Sequence, residues 1–292
     1  MTFNDNARID TSKVQRRRGG RVAMISGGGV IGVIAIALLS QLFGVDLSPL
    51  AQTVGLGEQS SSEQAAPLEN CETGADANAN DECRMAAAAD SLDTFWAGQF
   101  ESGYRQPGVV LYSGSTDSAC GTASAAIGPF YCPSDESIYL DTAFFATLRS
   151  DFGATAGPLA QMYVLAHEWG HHISNLTGDL QQVGRDSGPA SSSVRLELQA
   201  DCYAGAWVRD ASSVADASGQ AFMQPVSQAE IADAMNAAAS IGDDYIQRRS
   251  GGQVNPEGFT HGTSEQRQGW FEAGHRDGVG ACDTFGVPAN QL

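Results

Sequence analysis

From Val22 to Gly44 the chain reads VAMISGGGVIGVIAIALLSQLFG, without one charged side chain. A helix of about 20 apolar residues spans a bilayer core, so this stretch would part a short N-terminal tail from a large C-terminal body. Before it stand Arg8, Lys13, Arg16, Arg17, Arg18 and Arg21 against Asp5 and Asp10, a net of +4 for residues 1–21; the whole chain is −18, which leaves −22 on the remainder. Basic residues beside an apolar span stay cytoplasmic. The expectation is a single-pass membrane protein with a basic cytoplasmic tail at 1–21, a transmembrane helix at 22–44 and an extracytoplasmic body. The rival reading is a cleaved signal peptide, but the run is long for one and no small-x-small cleavage site comes after it. Gly28 and Gly32 form a GxxxG pair, which reads as small residues of a membrane helix before it reads as a dimer contact.

The acidic body argues against a nucleic-acid partner, since phosphates would be repelled. Six cysteines (Cys71, Cys83, Cys120, Cys132, Cys202, Cys282) are an even set and suit an exported domain held by disulfides. Fifteen connectivities are open to six cysteines, and sequence does not choose among them. Joining nearest neighbours gives Cys71–Cys83 and Cys120–Cys132, with Cys202–Cys282 as the remainder. No CxxC pair is present to suggest zinc held by thiolates.

Residues 45–80 are poor in large apolar side chains and read as a flexible linker; structure is expected from Asp81, in one domain over 81–292. RMAAAADSLDTFWAGQF has helical composition, GVVLYSG (108–114) and ESIYLD (136–141) read as strands, and Asp141 is placed to cap a helix through TAFFATLRSDFG. Pro158 and Gly178 bracket the next helix. Two more come after it, SVRLELQADCYAGAWVRD and QAEIADAMNAAASIGDDYIQ, and Thr263 with Gln266 has capping-box spacing for a last one. The pattern predicts an α+β domain, mostly helical, with a small sheet on its N-terminal side.

The chemistry is concentrated in LAHEWGHHIS, residues 165–174. His167 and His171 are four apart, so a helix sets them on one face with Cβ atoms about 5–6 Å apart. Two imidazoles so placed reach one zinc ion, and Glu168, about 100° round the helix, stands beside the metal as a base for its water. His172 points elsewhere and reads as a packing residue or as one that supports the ligands from behind. Zinc chemistry needs a third protein ligand and an open position. Ser174 and Thr177 stand where a metzincin would carry Gly and His, which excludes that class. The alternative is a carboxylate from a later helix, and Glu197-Leu-Gln-Ala-Asp201 supplies it. Glu197 would bind zinc; Asp201, one turn on, would accept a hydrogen bond from the far nitrogen of a ligand histidine. His261, in a loop at a helix start, is a candidate catalytic donor to the oxyanion, with Tyr203 and Tyr245 as weaker ones.

These residues, with YRQPGVVLYSG, ACGTASAAIGPFYCPSDESIYLD and THGTSEQRQGWFEAG, resemble the bacterial neutral zinc metallopeptidases, usually membrane-anchored, over about residues 82–285. The resemblance implies a zincin-like fold of the gluzincin type, one zinc ion on His167, His171 and Glu197, and Glu168 as base. Ser174 departs from the glutamine expected there and lies outside the ligand set. By likeness to such folds an edge strand would bind extended peptide, with ESIYLD as candidate. The reading is a zinc-dependent endopeptidase, anchored in the cytoplasmic membrane and acting outside it on peptide or protein substrates. The alternative is a zinc-stabilised, non-catalytic envelope scaffold; hydrolysis of a cell-wall amide ranks last, as no wall-binding repeat is present.

Overall fold

The computed structural model describes residues 2–18, 65–66, 68–124, 127–251 and 253–292. A five-stranded mixed sheet lies against a layer of helices. Its strands are β1 (Val14–Arg18), β2 (Ala65–Ala66), β3 (Gly108–Ser113), β6 (Phe130–Cys132) and β7 (Ser137–Asp141), in the order β2-β1-β3-β7-β6. β1 pairs parallel with β3, β3 parallel with β7, and β6 antiparallel with β7. Successive side chains of a strand face opposite ways. Val109, Leu111, Ile138 and Leu140 enter the main core with the helices, while Val110, Tyr112 and Tyr139 meet Ala123 of the hairpin β4 (Ser115–Ser118) and β5 (Gly121–Ser124). Both faces of β3 and β7 are therefore covered.

The helices are α1 (Gly74–Ala79), α2 (Asp81–Ala97), α3 (Phe144–Ser150), α4 (Pro158–Thr177), α5 (Ser192–Asp210), α6 (Gln228–Ser240), α7 (Asp243–Arg249) and α8 (Ser264–Asp277). Pro158 opens α4 and Gly178 closes it in the left-handed conformation, φ 91°. α4 packs on α5, and α5 on α8. Both contacts need glycine. A Cβ on Gly170 would stand 2.7 Å from the Ala200 Cα, and one on Gly274 would stand 1.9 Å from the Cys202 carbonyl oxygen. Disulfides join Cys71 to Cys83, Cys120 to Cys132 and Cys202 to Cys282. The last ties the middle of α5 to the segment after α8.

The membrane topology expected from the sequence is overturned. The stretch 22–44 lies outside the described residues, and among the described residues no helix is long and apolar enough to cross a membrane. The flanks give the physical reason. Residues 2–18, read as a tail on the far side of a membrane, are built into the same body as the rest. Phe3 is buried, the Asn4 N–H donates to Phe222 O at 2.9 Å, and β1 lies between β2 and β3. Arg16 and Arg17 of β1 pair with Ala66 and Ala65 of β2, so the chain leaves and returns at neighbouring positions. A single crossing would put these flanks on opposite sides. The basic residues are balanced by the body's own acids: Lys13 Nζ lies 2.8 Å from Asp90 and 2.7 Å from Asp93, and Arg16 lies 3.3 Å from Glu82.

Other differences are local. Order precedes Asp81, since α1 falls in the stretch read as linker. Asp141 accepts from the N–H groups of Gly114 and Ala143 but does not cap α3, whose N-cap is Ala143. ESIYLD forms β7, an interior strand paired on both sides; the edge beside α4 is β6. The segment read as one helix through 228–247 is two, α6 and α7, parted at Ile241 and Gly242, where Ser264 packs too closely for a side chain at 242.

Candidate metal centre

α4 delivers His167, Glu168 and His171, and α5 delivers Glu197 and Asp201. The close approach at Gly170 and Ala200 brings the two helices together between the histidines and the carboxylates. One ligand atom from each of His167, His171 and Glu197 lies within 4.8 Å of the others, and no further cluster of this kind occurs among the described residues. His167 Nε2 is 3.2 Å from Glu197 Oε2, and His171 Nε2 is 3.5 Å from Glu197 Oε1. Ligand atoms about 2.0–2.1 Å from a tetrahedral zinc are roughly 3.3 Å from one another, so these separations fit the edges of such a site. Two imidazole nitrogens and a carboxylate oxygen are also the donor set zinc takes in hydrolytic centres.

Asp201 is wholly buried and takes donors from three sides. Its Oδ1 lies 2.8 Å from His167 Nδ1 and accepts from the Tyr163 hydroxyl; Arg267 of α8 donates from Nε to Oδ2 at 2.8 Å and from Nη2 to Oδ1 at 3.0 Å. This fixes the His167 ring and leaves Nε2 facing Glu197. His171 Nδ1 is buried without a hydrogen-bond partner, so its ring is held by packing, edge-on to His167 at 4.8 Å between centroids.

Burial alone would pull the His167 imidazole down, but Asp201 and Glu197 outweigh it and push it up to about 10 in the metal-free chain. Burial lowers His171 to about 4 and raises Glu168 to about 7. Glu197 would also be raised by burial, but the two histidines hold its carboxyl well below the usual range. Because zinc must displace the His167 proton, uptake by the metal-free protein at pH 8 is expected to release about one proton, with affinity rising with pH towards about 10. Titration calorimetry in two buffers of different ionisation enthalpy measures this, and equal heats in both would contradict it. The same shift stabilises the metal-free fold below about pH 6.5 and ceases to do so as pH climbs through the folded value.

Glu168 is buried next to His167, and the Tyr131 backbone of β6 is near enough to favour its charged form. His261 is held by Asp243: one carboxylate oxygen accepts from the N–H groups of Thr260, His261 and Gly262 at 2.7, 2.6 and 3.0 Å, and the other lies 3.2 Å from His261 Nδ1. His261 is near enough to Glu197 for each to feel the other's charge. Tyr203 and Tyr245 are used elsewhere, Tyr203 against Trp96 and Tyr245 in a hydrogen bond to Phe152 O at 2.8 Å. The Ser174 hydroxyl lies 2.6 Å from Gln199 Oε1, away from the ligand set.

Four residues of this site went unread in the sequence: Tyr131, Tyr163, Asp243 and Arg267. Arg267 did leave a signal. It stands in register with Phe271 and Gly274 on the buried stripe of α8, and a charge on such a stripe needs a buried partner.

A family model described as "Putative neutral zinc metallopeptidase" matches residues 3–285. An uncharacterized protein of Mycobacterium tuberculosis (strain H37Rv), Rv2575, is 42% identical over 288 residues, covering 98% of each chain. The uncharacterized protein YpfJ of Escherichia coli K12 is 37% identical over 275 residues, covering 89% of this chain and 88% of its own. No solved structure matches.

Proposed function

The chain belongs to the family described as "Putative neutral zinc metallopeptidase", and on that premise we propose that it is a zinc-dependent endopeptidase acting on peptides or proteins. The observation that carries the reading is the grouping of His167, His171 and Glu197 with Glu168 buried beside them. No fourth His, Cys, Asp or Glu joins the group among the described residues. That favours an open, hydrolytic site over the closed shell a structural zinc would have in a scaffold.

Zinc bound there would supply Lewis acidity to the scissile carbonyl and to water. The protein's own groups do the rest. Glu168 takes the proton from the attacking water and hands it to the departing nitrogen. His167 is oriented through Asp201, and His261, oriented through Asp243, donates to the developing oxyanion. An extended substrate would lie along β6, the sheet edge beside Glu168, by backbone pairing.

The test is to strip the protein with a chelator, reload it with one equivalent of zinc and profile it on a peptide library. Cleavage at internal bonds should vanish with the metal and return with it. A protein that holds one zinc per chain and cuts nothing in the library would refute the endopeptidase reading.

A further inference from the structure

We propose that His172 and Tyr131 are positioning residues that latch β6, the edge strand of the sheet among the described residues, onto the catalytic helix, so that an extended substrate is held in register with Glu168; this rests on the peptidase reading above. His172 is the next residue after the second ligand but has no exposure and makes two hydrogen bonds away from the centre. Its Nε2 lies 2.7 Å from the Arg105 carbonyl oxygen, which can only accept, so Nε2 carries the hydrogen. Nδ1, 3.0 Å from the Tyr131 hydroxyl, is then the acceptor and Tyr131 the donor. Asn175, one turn further along α4, donates to the same Tyr131 oxygen at 3.0 Å. Every donor in this chain has an acceptor, and the Tyr131 ring stands edge-on to His172 with centroids 5.4 Å apart.

Tyr131 therefore touches α4 twice. Its hydroxyl is held by both His172 and Asn175, one turn apart on that helix. The loop that supplies the Arg105 carbonyl is itself tied down, because the Arg105 guanidinium forks onto Glu136, in the turn between β6 and β7. The β6–β7 hairpin is thus pinned both at its edge strand and at its turn. A three-residue edge strand has few ladder bonds, and the Cys120–Cys132 disulfide ties it at Cys132 alone. A misplacement of about 1 Å near the reacting groups can cost a factor on the order of 100 in rate, so holding this strand has a direct kinetic consequence. A merely space-filling histidine would need neither a fixed tautomer nor a partner that Asn175 of the same helix grips as well.

The decisive variant is Tyr131→Phe, which removes one hydroxyl and keeps the ring; His172→Gln is the second. Two peptides are compared in the zinc-loaded full chain: one long enough to pair along β6, and one limited to the residues flanking the scissile bond. The latch predicts that the ratio of kcat/KM, long over short, falls about tenfold, mostly through KM. Zinc affinity should match the wild type. In the same variants, amide hydrogen exchange at 130–132 should speed up while β3 stays protected. A uniform loss on both peptides, or unchanged exchange at 130–132, would overturn the latch. If the zinc-loaded wild type cuts neither peptide, the peptidase reading fails, and hydrogen exchange still decides whether the two side chains hold the strand.

Discussion

Glu168→Gln is expected to lower kcat by a factor on the order of 10²–10⁴, the usual contribution of a general base, while one zinc per chain is retained. Glutamine has nearly the volume of glutamate, so the packing around position 168 is kept. The candidate ligands His167, His171 and Glu197 are untouched. What is lost is the ability to take a proton from water. Burial pushes Glu168 up to about 7 in the metal-free chain. The base works only when ionised, so the acid limb of the wild-type rate profile should rise with pH and be missing from the residual activity of the variant. Metal analysis together with the pH–rate profile checks both points. A variant that cuts as fast as wild type at full zinc occupancy would remove Glu168 from the mechanism.

Arg267→Met should have the largest effect on stability. Arg267 and Asp201 are a buried ion pair, with side-chain exposures of 1% and 0%. Removing one partner leaves an uncompensated buried charge, which costs about 3–5 kcal/mol. Methionine keeps an unbranched side chain at this buried position but leaves Asp201 with only the Tyr163 hydroxyl and His167 as donors. The double variant Arg267→Met/Asp201→Asn removes the charge as well and should be more stable than Arg267→Met alone. Denaturant midpoints of the three proteins measure this, and a double variant less stable than the single would contradict it. Burial would raise the Asp201 carboxyl, but Arg267 and His167 hold it below its ordinary value. Its contribution is therefore present above about pH 3.9 and is lost as pH falls through the lowered folded value.

The parts of this site that lie within one helix were readable from spacing alone. His167, Glu168 and His171 share about one turn of α4, and Glu197 and Asp201 about one turn of α5; the helical period settles where such residues face. Asp243 and Arg267 were not readable, because their roles depend on which helices pack together. The break at Gly242 that puts Asp243 against the loop of His261 occurs inside a composition that reads as continuous helix. Strand order is likewise a tertiary property. ESIYLD looked like an edge, yet four of the five β7 residues are buried, as an interior strand requires. β1 was hidden most thoroughly. Val14-Gln-Arg-Arg-Arg18 has no apolar alternation and sits before an uncharged run, so its charges read as a membrane signal, whereas three carboxylates of α2 meet Lys13 and Arg16.

The place of this N-terminal strand bears on how the chain is assembled. Residues 3 and 4 meet partners at 222 and 223, and the Arg8 N–H meets Asp216. Synthesis makes them early, yet their neighbours emerge some two hundred residues later. Loop closure over such separations is slow. The segment that leads into β1 is therefore fastened only after most of the polypeptide has left the ribosome, and a recombinant fragment begun downstream of the apolar stretch would leave β3 without its parallel partner.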